Sequence, residues 1–156
     1  MAKKNKPDKE NIDKYIDRGT AYKNKKEYDN AIADFQKALS ILDGDSFLIY
    51  TLLSASYREK GEYDASIEYC NKAMETLELI DAESYERAMA IAYNDLALTY
   101  MAKNDKEQAV VFFKQSADNG GEEALEKLKE LGIEYKPKCF IRQQRYDASL
   151  VNVPDF

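Results

Sequence analysis

Apolar and small residues recur along the chain with the spacing of amphipathic helices, and one arrangement of them occurs three times. Each copy has seven positions. An aromatic residue is followed by a spacer residue, a small residue, a tyrosine, a second small residue, a larger side chain and a third small residue. The copies read Tyr15, Arg18, Gly19, Tyr22, Ala31, Phe35 and Ala38, then Tyr50, Leu53, Ser54, Tyr57, Ser66, Cys70 and Ala73, then Tyr93, Leu96, Ala97, Tyr100, Ala109, Phe113 and Ser116. An internal repeat of this length predicts stacked structural units rather than a single globular core.

The periodicity predicts three helix pairs and a closing helix. The expected ranges are 9–25 and 28–42, 45–60 and 63–80, 82–103 and 106–118, and finally 121–131. Asp45 and Asp105 are the predicted N-caps of the third and sixth helices. One helical hairpin cannot bury its apolar face alone, whereas three stacked hairpins can, so we predict an all-α solenoid of three antiparallel helix pairs with a polar-faced capping helix.

The repeated residues resemble the tetratricopeptide repeat, whose pattern is an aromatic residue, Leu-Gly, Tyr, Ala and Phe. The resemblance implies a right-handed superhelix with a concave groove lined by the first helix of each pair. It places repeats at about 12–45, 47–80 and 90–123 within a domain of residues 9–132, after a flexible basic segment 1–8 and before a tail 133–156. The stretch 109–132 is similar to the related Sel1-like repeat, which implies a half-repeat cap. The longer second spacing, from Tyr50 to Tyr93, is assigned to extended helices around residues 77–88.

Charge and composition narrow the function classes. The net charge is −6 and the pI about 4.9, which argues against nucleic acid as the main partner. The chain contains no histidine and no phosphate-binding glycine motif, so we expect no catalytic residue, no metal ligand and no cofactor. No apolar stretch approaches the roughly 18 residues of a membrane span. Two cysteines without a disulfide pattern favour the reducing cytoplasm.

The implied groove provides the candidate binding residues. They are Ile16, Thr20, Lys23 and Asn24 in repeat one, Thr51, Ala55 and Arg58 in repeat two, and Asn94, Leu98 and Met101 in repeat three, with Leu48 and Ile91 also facing inward. Leu48, Leu52 and Ile91 are equally compatible with packing between neighbouring helices. Repeat proteins of this family that bind the acidic C-terminus of heat-shock proteins carry a Lys/Asn/Arg clamp, and here the matching positions hold Ile16, Thr20, Leu52, Ile91 and Asp95. The sequence therefore argues against a heat-shock C-terminal peptide as the ligand.

The tail from residue 133 to residue 156 is apolar for a disordered end. Its candidate docking residues are Phe140, Tyr146, Leu150, Val153 and Phe156. We expect the tail to shield the groove or to cap the last hairpin. Alternatively, it is itself the peptide that docks into another protein or another copy.

These features predict a cytoplasmic protein-binding scaffold or adaptor that captures a peptide in a preformed groove. The alternative is a small acidic secretion chaperone that holds a client protein, since chaperones of that kind are similar in size, charge and repeat number. That class has a longer N-terminal helical region for dimerisation than the roughly eleven residues that precede the first repeat here. The partner's identity and the oligomeric state, monomer or dimer, stay open.

Overall fold

The computed structural model describes residues 9–42, 44–77 and 82–138, which form seven α-helices and no strand. The helices are α1 Lys9–Asn24, α2 Tyr28–Leu42, α3 Phe47–Lys60, α4 Tyr63–Glu75, α5 Ala82–Ala102, α6 Lys106–Asp118 and α7 Glu122–Glu130. Three helix pairs and a closing helix are therefore confirmed, and α6 has the predicted range.

The way in which the pairs stack curves the molecule. The first helices lie side by side, since α1 contacts α3 and α3 contacts α5. The second helices contact the next pair through its first helix, α2 against α3 and α4 against α5. Across the described ranges, no comparable contact joins α2 to α4 or α4 to α6. The first helices therefore crowd together on the inner surface of a curved stack, and the second helices spread apart on the outer surface.

One hydrogen-bonded turn closes each hairpin at the same place in the repeat. After α1, the Lys26 N–H donates to the Lys23 carbonyl and the Glu27 N–H donates to the Tyr22 carbonyl. The same pair of bonds follows α3 at Gly61 and α5 at Asn104. Lys26, Gly61 and Asn104 all have positive φ, at 63°, 89° and 65°. This left-handed residue ends the helix and satisfies its last carbonyl groups, which sets the angle at which each second helix returns.

Two apolar cores fill the two ends of the stack. Phe35 and Leu53 are fully buried in the first core, and Phe113 and Leu128 in the second. Between them, a chain of polar contacts links α3, α4 and α5 inside the protein, with Ser66 Oγ at 3.0 Å from Ser54 Oγ and 2.9 Å from Thr99 Oγ1. The other repeats carry glycine or alanine at the two serine positions. Hydroxyl groups are tolerated here because each one has a hydrogen-bond partner.

The second repeat differs from the prediction in two details. α4 ends at Glu75 rather than at residue 80, because residues 76–77 turn away and the Thr76 hydroxyl donates to the Ala73 carbonyl at 2.7 Å. The extra length lies in α5, which has 21 residues.

The prediction of Asp45 as an N-cap is wrong, since the Ser46 hydroxyl accepts from the Ile49 N–H. Asp45 instead accepts a hydrogen bond from the Tyr50 hydroxyl at 2.5 Å. The Asp105 cap is confirmed.

The segment after α7 returns to the outer helix α6. Ile133 and Tyr135 pack partly buried against the second core. The Tyr135 hydroxyl donates to Asp118 Oδ1 at 2.9 Å, and the backbone N–H of Lys138 donates to the same oxygen at 2.8 Å. This short extended stretch lies beside the last hairpin and contributes to its core.

Candidate protein-binding groove

The ten groove residues predicted from the sequence lie on α1, α3 and α5, the three inner helices. Nine of them are half-buried, and Asn24 is exposed. Ile16 packs against the first core, and Leu98 and Met101 pack against the second, so these side chains serve both the surface and the interior. The Thr20 and Thr51 hydroxyls donate to carbonyl groups one turn earlier in their own helices. Ala55 is half-buried with no hydrogen-bonding side chain.

Two large apolar side chains on the inner helices are exposed to solvent. Leu48 on α3 is 54% exposed, and Ile91 on α5 is 47% exposed. Each lies two residues before the first tyrosine of its repeat, Tyr50 or Tyr93, so the two positions are equivalent. Leu52, by contrast, packs partly buried against the first core. Of the three residues whose role the sequence left open, Leu48 and Ile91 are therefore exposed and Leu52 is packed.

A charge pair joins α3 to α5, two of the inner helices. Arg58 Nη1 lies 3.1 Å from Asp95 Oδ1, and only 15% and 17% of the two side chains are exposed. Burial raises the pKa of the Asp95 carboxyl above its usual value, while Arg58 and Lys23 act in the opposite direction. The sequence placed Arg58 in the groove but gave no sign that the carboxylate of Asp95 would neutralise it, since the two residues belong to different repeats.

A small cavity of about 210 Å³ opens where α5 meets the start of α7. Ile91, Asn94 and Glu123 are among its lining residues. The Asn94 side-chain amide donates to Glu123 Oε2 at 3.2 Å, which ties α5 to the capping helix. The acidic first turn of α7, which the sequence assigned to capping alone, thus adds negative charge to this end of the groove.

Neither a metal-binding cluster nor a membrane-spanning helix is present in the part of the chain that the structure describes. Within that part, no group of three or more Cys, Asp or Glu side chains is arranged to hold a metal ion. No helix in the described ranges is long and apolar enough to cross a membrane. The predicted docking residues of the tail, Phe140, Tyr146, Leu150, Val153 and Phe156, lie outside the described residues and remain predictions, as does the likeness of residues 109–132 to a Sel1-like repeat.

Comparison with known proteins agrees with this architecture. The chain is 32% identical over 137 residues to an Hsp70-Hsp90 organizing protein of Triticum aestivum, which covers 86% of this chain and 23% of that protein. It is 33% identical over 131 residues to Hsp70-Hsp90 organizing protein 1 of Glycine max, which covers 82% of this chain and 22% of that protein. The chain thus spans less than a quarter of the length of these relatives.

Solved structures share the fold. The N-terminal domain of stress-induced protein-1 (STI-1) from C. elegans superposes with a TM-score of 0.59 at 24% identity, covering 78% of this chain and 94% of that one. The Sgt2 TPR domain from Aspergillus fumigatus gives 0.61 at 20% identity, covering 93% of this chain and 85% of that one. Models of the tetratricopeptide repeat match residues 12–44 and 45–119. With three helical hairpins in register, the chain belongs to the tetratricopeptide repeat family.

Proposed function

We propose that this chain is a protein-binding adaptor that holds a segment of its partner in the groove formed by α1, α3 and α5. The observation that carries the proposal is the pair of exposed apolar side chains, Leu48 and Ile91, at equivalent positions on adjacent inner helices. Two apolar anchors of this kind, surrounded by polar groups, suit an extended or helical segment with matching side chains. The plant relatives favour this function over the alternative of a secretion chaperone.

Substitution of the two anchors tests the proposal. Leu48→Ser with Ile91→Ser removes apolar contact from the groove, whereas Val111→Ser on α6 is a matched control, since Val111 is also 47% exposed but lies on a second helix. Partners captured from a native extract by the full chain are expected to be lost with the double variant and kept with the control. Circular dichroism checks that each variant stays folded. Equal capture by the folded double variant and the original chain contradicts binding in the groove.

A heat-shock chaperone is the second candidate partner, because the plant relatives are named for organising Hsp70 and Hsp90. The groove argues against an acidic C-terminal peptide as the contact, since Arg58 is already paired with Asp95. We therefore propose that any chaperone contact uses another segment of the chaperone. Titration of this chain with purified Hsp70 and Hsp90, intact or lacking their acidic C-terminal residues, tests this. Binding that depends on those residues contradicts our view of the groove.

We further propose that the tail docks on the repeats. The support is the path of its first residues, since Tyr135 and Lys138 are both hydrogen-bonded to Asp118 on α6. A surface cavity of about 530 Å³ beside Leu125 and Ile133 lies next to this path. These contacts favour capping of the last hairpin over shielding of the groove. Replacing Phe140, Leu150 and Phe156 with serine in the full chain is then expected to lower the melting temperature without increasing partner capture.

The proposed mechanism is binding without catalysis, in the cytoplasm. The names of the relatives, which describe the organisation of other proteins, support the binding role.

A further inference from the structure

The inner helices bring together two cations from the first two repeats and one carboxylate from the third. Lys23 and Arg58 occupy equivalent positions, each eight residues after the first tyrosine of its repeat. Asp95 accepts a hydrogen bond from Arg58 Nη1 at 3.1 Å. Lys23 on α1 is close enough to act electrostatically on the same carboxylate. The chain thus places one of its own carboxylates at the point where its inner helices present positive charge.

We infer that Asp95 is an internal ligand of the groove, a specificity-determining residue whose carboxylate occupies Arg58 and so excludes partner segments that present a carboxylate there. This inference rests on the proposed function, since it concerns which segments the groove accepts. The partner segments that fit are neutral or apolar at this place.

The physical basis is the cost of burying charge. Arg58 and Asp95 are mostly removed from solvent, and a charge in such a place requires a partner. A guanidinium group binds a carboxylate well, and Arg58 already has two near it, Asp95 at 3.1 Å from Nη1 and Glu59 at 3.7 Å from Nε. An incoming peptide carboxylate would therefore compete with Asp95 for Arg58. Displacement would leave Asp95 beside the incoming negative charge. Glu123 is close enough to act on Asp95 electrostatically in the same repulsive sense.

Removal of the internal carboxylate should reverse the preference. Asp95→Asn keeps the shape of the side chain and leaves Arg58 without a charged partner from α5. The probe is a short glutamate-rich peptide with a fluorescent label and a free C-terminal carboxylate, titrated by fluorescence polarisation against the full-length chain. We expect the variant to bind it roughly tenfold more tightly than the original chain does, since one charge-assisted contact becomes available.

Three variants control for other causes. Asp64→Asn makes the same change in net charge at an exposed ion pair on α4, where Asp64 lies 2.8 Å from Lys103, and it should leave affinity unchanged. Asp95→Glu keeps the carboxylate and should keep the exclusion. Adding Arg58→Gln to Asp95→Asn should abolish the gain, because the cation that the peptide would bind is then gone.

Circular dichroism and thermal melting establish which variants are folded. If Asp95→Asn is unfolded, Asp95→Ala replaces it in the titration. A folded Asp95→Asn or Asp95→Ala chain that binds the peptide no more tightly than the original overturns the inference. A gain of the same size with Asp64→Asn also overturns it, because net charge alone would then explain the binding. The titration uses a synthetic peptide, so its result is independent of whether Leu48 and Ile91 anchor a natural partner.

Discussion

Gly19 on α1 lies directly against the ring of Phe35 on α2. A Cβ atom at Gly19 would be 2.7 Å from Phe35 Cε1 and 2.9 Å from Cδ1. The ring is fully buried, so it has no open space into which it could move. The missing side chain on α1 thus leaves room for the largest fully buried side chain of α2. This close contact lets α1 and α2 pack tightly in the first hairpin.

Gly19→Ala is expected to destabilise the protein. Overpacking of a core costs about 1–3 kcal/mol, and the better helix propensity of alanine returns up to about 1 kcal/mol of that. We expect a net loss of about 1–2 kcal/mol in the free energy of unfolding, measured by urea denaturation. Gly44→Ala is the matched control, since its new Cβ would have its nearest neighbour at 3.9 Å. This account is contradicted if Gly19→Ala is as stable as the original chain. It is also contradicted if adding Phe35→Leu to Gly19→Ala restores none of the lost stability.

Lys26→Gly is expected to stabilise the protein, because Lys26 has a left-handed backbone with φ of 63°. A non-glycine residue loses about 1 kcal/mol in this conformation, so the gain should be about 0.5–1 kcal/mol. The equivalent Gly61→Ala should lose a similar amount, and it introduces no clash, since nothing lies within 4 Å of the new Cβ. Asn104→Gly should gain less, because asparagine tolerates this conformation. A stability loss in Lys26→Gly would show that its side chain matters more than its backbone.

The thiol of Cys70 is expected to be unreactive in the folded chain. Burial raises its pKa to about 12, and its sulfur lies 2.9 Å from Ser54 Oγ. In a Cys139→Ser background, a thiol reagent at neutral pH should label Cys70 only when urea unfolds the protein. Asn71→Cys in a chain without Cys70 and Cys139 is the control, because residue 71 is exposed on the same helix and should be labelled at once. Equally fast labelling of both positions contradicts the packing of α4 against α3.

The Tyr50 hydroxyl is expected to link stability to alkaline pH. Its hydrogen bond to Asp45 and its burial raise its pKa from 10.0 to about 12. The folded state therefore keeps this proton when the unfolded state has lost it. The contribution is fully present below pH 10 and is lost as the pH rises through about 12. Denaturation measured across this interval should show a smaller decline for Asp45→Asn and for Tyr50→Phe. Identical slopes in all three chains would exclude a role for this pair.

Asp118 is expected to hold the start of the tail. It accepts hydrogen bonds from the Tyr135 hydroxyl and from the Lys138 N–H. Asp118→Ala should therefore increase hydrogen exchange at the Lys138 amide by roughly tenfold or more, while amides inside α6 keep their protection. Glu134→Ala changes an exposed acidic residue of the same segment and should leave the Lys138 amide unaffected. Rapid exchange of that amide in the original chain would contradict the contact.

Much of the architecture is determined by local chemistry that the sequence displays. The spacing of Tyr15, Gly19 and Phe35, repeated twice more, predicts paired helices because small and large residues can complement each other only when two helices face one another. The turn chemistry at Gly61 and Asn104 marks where the second and third pairs reverse. The acidic and apolar faces of α7 predict a cap. The comparisons confirm the family, and the structure confirms the helical pairs.

Only the tertiary structure determines which charged and polar side chains become neighbours. Arg58 and Asp95 are 37 residues apart and lie at non-equivalent positions of their repeats, so no periodicity pairs them. The same holds for Asn94 with Glu123 and for Asp118 with Lys138. Sequence periodicity determined which side of each helix faces its partner, because burial of apolar surface depends on local spacing. The stacking angle between hairpins determined which side chains became neighbours in the groove, because that angle arises from packing across all seven helices.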